Sequence, residues 1–132
     1  MFASGRCLCG AVTFTVSAPP VRMAQCHCED CRRLSGTGHL VQAFFNASDI
    51  AIEGPTTSFE NLADSGNVRS RAFCPTCGSR LFSKNSRAPG LTGIAVGAFD
   101  DSSWFTPALI LYASRRPAWD PVDPAIEAHD LM

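Results

Sequence analysis

Seven cysteines gathered into three short clusters constrain this chain more than any other feature. They read Cys7-Leu8-Cys9, Cys26-His27-Cys28-Glu29-Asp30-Cys31 and Cys74-Pro75-Thr76-Cys77-Gly78. An odd number strands one thiol in any full set of disulfides, and C-x-C and C-x-x-C spacings suit a shared metal better than distant bridges. Four ligands close a tetrahedral zinc site, and three leave one position open. The expected division is therefore Cys7, Cys9, Cys74 and Cys77 at a closed structural site, and Cys26, Cys28 and Cys31 at a second. Other groupings of the seven sulfurs satisfy the same count.

Composition narrows the class. The 132 residues fit one domain, 1–132, and 45% hydrophobic against 17% charged residues is a globular balance rather than a disordered one. A net charge of −1 argues against nucleic acid held on a large basic face. No apolar run approaches the ~20 residues of a membrane span. The opening MFASGRCLCG lacks the basic start and apolar core of an export leader, so the expected compartment is a reducing cytoplasm.

Period-2 alternation predicts an all-β domain of short strands. Val12, Phe14 and Val16 alternate with threonines in a strand over 10–17 that Ala18-Pro19-Pro20 stops. Further strands are expected over 39–45, 49–53, 56–61, 68–73, 79–84, 91–96 and 108–113, with turn residues between them. One helical turn is predicted over 28–34, where Glu29 and Asp30 lead and Arg32 and Arg33 follow in the order a helix dipole favours. It places Cys28 and Cys31 on one face, with Cys26 approaching from the extended arm before it. Beyond Trp119, residues 120–132 read as a tail with one helical turn near 126–131.

The Cys-Pro-Thr-Cys-Gly segment is a zinc knuckle, and joining Cys9 to Cys74 closes a long loop. The logarithmic part of that closure costs about 4 kcal/mol, well below the roughly 10–16 kcal/mol of structural zinc binding in small peptides. The trio is open or closed with equal weight from spacing alone, with His39 the stronger and His27 the weaker candidate for a fourth ligand. If open, three thiolates leave zinc at a net −1, ill suited to generating hydroxide but able to take a soft external thiolate. A thiolate held near its working pH is a nucleophile, and a small carbonyl carbon is its natural target. Arg32 and Arg33 are the nearest cations for balancing charge or binding substrate, with Arg69, Arg71 and Arg80 as companions.

The order C-x-C-G-A-V, C-H-C-x-x-C-R-R-x-S-G, R-x-F-C-x-x-C-G-S, G-x-F-D-D and S-R-R-P-x-W, running from Cys7 to Trp119, resembles the glutathione-dependent formaldehyde-activating enzyme family. That family also includes the domain of centromere protein V. The resemblance implies coiled antiparallel strands clipped by zinc, with two zinc ions: one structural, at Cys7, Cys9, Cys74 and Cys77, and one labile and catalytic, at Cys26, Cys28 and Cys31. It implies a carbon–sulfur lyase-type activity forming S-(hydroxymethyl)glutathione from glutathione and formaldehyde. One departure is visible: the family often places a histidine in the strand after Pro107, where this chain has Ile110 in an apolar run. The alternative class is a non-catalytic zinc module that binds a protein partner, with both sites closed.

Overall fold

The computed structural model describes residues 1–131, so the last residue of the expected 120–132 tail lies outside the described residues. Among the described residues, eleven strands and one α-helix, beside three short 3-10 turns, run in the order β1 (Ala3–Arg6), β2 (Thr13–Val16), β3 (Arg22–Cys26), α1 (Glu29–Ser35), β4 (Leu40–Asn46), β5 (Ile50–Glu53), β6 (Thr57–Leu62), β7 (Val68–Phe73), β8 (Arg80–Asn85), β9 (Leu91–Ala95), β10 (Leu109–Leu111) and β11 (Glu127–Ala128). A three-stranded sheet, β1-β2-β5, accompanies an eight-stranded one ordered β11-β10-β3-β4-β9-β8-β7-β6. The all-β class read from the alternation is the one observed.

Alternation makes the core. Phe14 and Val16 of β2, Ala43 and Phe45 of β4, Leu81 and Phe82 of β8 and Ile94 of β9 form one buried cluster that joins the two sheets. Threonines on the other face of β2 remain exposed. Phe14 meets Phe99 edge to face at 5.1 Å and Phe82 at 5.5 Å, the geometry that aromatic quadrupoles favour. Full burial of a phenylalanine such as Phe45 contributes about 2–3 kcal/mol.

A second, smaller cluster contains Ala24, Cys26, Cys31, Leu40, Leu111 and Tyr112. Two thiols of the central motif are thus buried in their own pocket of core, built by β3, α1, β4 and β10.

Three details depart from expectation. Residues 3–6, with no alternating pattern, form β1 because the antiparallel ladder with β2 pairs Ser4 with Thr15 and Gly5 with Phe14. Two ladders are parallel rather than antiparallel: β10 lies between β3 and β11 and runs with both. Its Leu109-Ile110-Leu111 run is apolar throughout, as expected of a strand covered on both faces. The helical turn expected near 126–131 is instead β11 and its continuation. The open edge of β10 captures it through His129 N–H to the Ile110 carbonyl at 2.8 Å and Tyr112 N–H to the Leu131 carbonyl at 2.9 Å.

Candidate metal centres and the cationic cavity

The end of β1 and the hairpin turn between β7 and β8 bring Cys7, Cys9, Cys74 and Cys77 together, with their four sulfurs all within 4.8 Å of one another. Gly78, at φ +76°, closes the knuckle and donates its N–H to the Cys74 carbonyl at 2.8 Å. Leu8 N–H reaches the Ser79 hydroxyl at 2.9 Å, tying the first cysteine turn to the knuckle. Cys7 and Cys9 sulfurs lie 3.6 Å apart, and those of Cys9 and Cys74 3.8 Å. A tetrahedron with metal–sulfur bonds of about 2.3 Å requires sulfurs about 3.8 Å apart, and a disulfide would require about 2.0 Å. The donor set fits zinc. Ser79 contacts the Cys77 sulfur at 3.2 Å and, first among several hydrogen bonds, lowers that thiol to about 5.

The second group is Cys26, Cys28 and Cys31, again with sulfurs within 4.8 Å. Cys26 ends β3, Cys28 is the N-cap of α1, and Cys31 lies buried in its first turn. The Cys31 N–H donates to the Cys28 sulfur at 3.3 Å, as an N-cap side chain accepts. The trio shares its protons unequally. Contacts from Cys26 and then Cys31 hold Cys28 down at about 2, whereas Cys28 leads in pushing Cys26 up to about 11. Cys31 is also raised, by Cys26 first and then by Cys28 and burial.

Neither imidazole joins the trio. His27 and His39 form a third group with Asp120, in which the Asp120 Oδ2 accepts from His39 Nδ1 at 2.6 Å and lies 3.3 Å from His27 Nδ1. The expected fourth-ligand candidates are thus gathered elsewhere. Burial, then His39, lowers the His27 pKa against the opposing pull of Asp120 and the Gly38 backbone.

Cys26 and Cys31 line a cavity of about 410 Å³. Its wall carries six cations, Arg22, Arg69, Arg71, Arg80, Lys84 and Arg87, and no carboxylate. Arg71 is buried, donating to Asn61 Oδ1 and lying 3.9 Å from Asp30. Burial, then Arg71, brings Arg80 down to about 10, so it remains charged at neutral pH. The Nε groups of Arg22 and Arg80 are buried without a hydrogen bond among the described residues, which leaves donors for an anion. On the other side, Cys28 lines a small recess of about 50 Å³ with Tyr112, the cations Arg69, Arg71 and Arg115, and the carboxylates Glu29, Asp30 and Asp64.

Arg32 and Arg33 line neither space. Arg33 is exposed and pairs with Glu29 one turn back at 2.9 Å, and Arg32 lies beside it on α1. The cations that face the trio come from β3, β7 and β8 and the turn after β8. Arg69, Arg71 and Arg80 were legible as companions, but Arg22, Lys84 and Arg87 carry no sequence signal because strand pairing alone gathers them. Leu111 lines the cavity, while Ile110 is fully buried opposite Gln25. Tyr112 was also missed, although it is the one non-glycine residue with positive φ, 53°, among the described residues.

Fold and sites together define a β-sheet protein with a four-sulfur clip and a three-sulfur group beside a cationic cavity. Residues 2–115 match the model of the family described as glutathione-dependent formaldehyde-activating enzyme, and the chain belongs to that family. A protein of Halomonas elongata, provisionally named a glutathione-dependent formaldehyde-activating enzyme, is 29% identical over 125 residues, covering 90% of this chain and 80% of its own. A Rhodobacter sphaeroides protein of known crystal structure shares the fold at a TM-score of 0.60 and 24% identity, over 74% of this chain and 87% of that one. No helix among the described residues is long and apolar enough to cross a membrane.

Proposed function

We propose that this chain is a zinc-dependent carbon–sulfur lyase-type enzyme that promotes adduct formation between glutathione, or a similar anionic thiol, and formaldehyde or another small aldehyde. The observation that carries the reading is a carboxylate-free cavity walled by six cations and lined by Cys26 and Cys31 of the thiol trio. Cys7, Cys9, Cys74 and Cys77 take the structural ion, and Cys26, Cys28 and Cys31 the catalytic one. Zinc bound by the trio supplies a position for a substrate sulfur and keeps it ionised at neutral pH.

The chain's own groups do the rest. Arg22, Arg80, Lys84 and Arg87 bind the carboxylates of the thiol substrate and orient its sulfur toward the trio, offsetting the anionic charge gathered there. The recess beside Cys28 has room for a molecule of formaldehyde's size, and Arg69 and Arg71, which face both spaces, polarise its oxygen. The sulfur lone pair forms the new C–S bond as the carbonyl π bond breaks, and the resulting alkoxide takes a proton. Tyr112 in the recess is the proton donor we assign: burial raises its pKa, so the phenol stays protonated. Arg32 and Arg33, which line neither space, take no substrate role in this reading.

The test is magnetisation exchange between ¹³C-formaldehyde and its glutathione adduct in solution, with and without zinc-loaded protein. Faster exchange with the native chain, lowered in Tyr112→Phe with little change in KM, supports the reading. An exchange rate unchanged at micromolar protein overturns it.

A further inference from the structure

We propose a third metal site, formed by His27, His39 and Asp120, that takes a divalent first-row ion such as Zn²⁺ or Co²⁺ through nitrogen and oxygen ligands. The three residues are remote in sequence. His27 follows β3, His39 precedes β4, and Asp120 stands in a turn whose N–H bonds the Pro117 carbonyl at 3.0 Å. Their ligand atoms nevertheless lie within 4.8 Å of one another. His27 lies just past the end of β3, and its ring meets the Gln25 side chain and the His39–Asp120 pair rather than the thiols. The proposed ion is thus separate from the thiol trio and independent of the enzymatic reading.

Three observations point to a ligand. First, the His27 ring is fully buried, and its Nδ1 makes no hydrogen bond of good geometry. Asp120 Oδ2 lies 3.3 Å from it, and the Gly38 backbone also acts on the ring. Metal–ligand bonds of about 2.0–2.1 Å set neighbouring ligand atoms about 3.3 Å apart, so this pair already stands at coordination distance. The His39–Asp120 pair, at 2.6 Å, is held by a proton that an ion would replace, opening the contact by about 0.7 Å. Second, the other His27 nitrogen meets the Gln25 side-chain amide at 3.1 Å. With that amide turned over, its oxygen accepts from Nε2–H and leaves the Nδ1 lone pair for a metal, the outer-shell arrangement ligating histidines use. Third, Asp120 is seated where residue 38 has no side chain: a Cβ on Gly38 would fall 2.2 Å from Asp120 Oδ2.

Two neutral imidazoles and one carboxylate leave a divalent ion at a net +1, whereas three thiolates leave it at −1. The donor set is harder than the trio and leaves a position for water. Side-chain exposures of 24% at His39 and 14% at Asp120 open the site to solvent on one side.

The experiment titrates the full chain, loaded with two equivalents of zinc to fill the thiolate sites, with Co²⁺ and reads its absorption. One further equivalent is expected in the wild type, with weak visible bands and no near-ultraviolet thiolate-to-cobalt charge transfer, and it raises Tm. His39→Ala and Asp120→Asn are expected to lose that equivalent and the Tm increment while keeping the thiolate-bound ions; Asp120→Asn preserves the shape of the triad. The proposal is overturned if the wild type takes no cobalt outside its thiolate sites, or if both variants take as much as the wild type. Cobalt entering a thiolate site announces itself by charge transfer and is counted apart, so failure of the zinc enzyme reading and failure of the third site are distinguishable.

Discussion

A half-buried arginine with its Nε cut off from water is an expensive group for a chain of this size to keep, and Arg80 shows why one is retained. It lies close to the like charge of Arg71 and presents a buried Nε with no acceptor. Such a residue costs stability and stands ready for an anion. Arg80→Met keeps much of the volume and removes the charge. We expect the variant to melt at or above the wild-type Tm while its KM for an anionic thiol rises about 10-fold, the value of one charge-assisted hydrogen bond. A lowered Tm with unchanged KM would assign the guanidinium to the fold. Gly38 works in the opposite sense, since its missing side chain admits Asp120. Gly38→Ala should displace the 117–120 turn and cost about 1–3 kcal/mol, measured by denaturant unfolding. Neither residue is readable in the sequence as anything but a charge and a turn former, because both are defined by a neighbour remote along the chain.

Among the elements, the knuckle and α1 carry the two cysteine groups in different ways. The knuckle joins β7 and β8 and is cross-tied to the turn after β1, so its sulfurs hold chain ends that the sheets bring together. Cys74→Ala is expected to leave little soluble protein, because the binding energy of a structural zinc is comparable with the whole stability of a domain. By contrast, α1 is a single short helix packed on β4, and Cys28→Ser should lose one ion of the thiolate-bound pair and remain folded; metal analysis and circular dichroism on the purified variants separate the cases. The helix was legible to within a residue because its signals are local: an N-cap thiol, early acids, late arginines and Gly36 as its C-cap. β1 and β11 were not, because Ala3–Arg6 and Glu127–Ala128 have no pattern of their own and take their form from a partner's open edge. The parallel course of β10 was hidden for the same reason, since a short apolar run does not declare its direction.

At the scale of the molecule, the thiols and the cations together set the response to solution conditions. In the metal-free trio Cys26 is held up to about 11 and Cys31 is raised as well, so taking up zinc must expel their protons. Affinity therefore falls as pH is lowered and rises as it is raised. Titration calorimetry in buffers of different ionisation enthalpy should show proton release on zinc binding, and its absence would contradict the protonation described for the trio. The grouping of the seven cysteines was visible from spacing, since ligands two or three residues apart must lie close in any fold. The cavity was not: its cations come from separate strands, and the arginines adjacent to the motif do not line it.

One ribbon of chain has two duties. β7 carries Arg69 and Arg71 to the cavity that Cys26 and Cys31 line and runs directly into Cys74 of the four-sulfur group. A protein engineer retuning this scaffold for a different thiol therefore has unequal choices. Under the proposed function, exchanges at Arg87 are expected to act on recognition, whereas exchanges along β7 also put the anchorage of the architecture at stake.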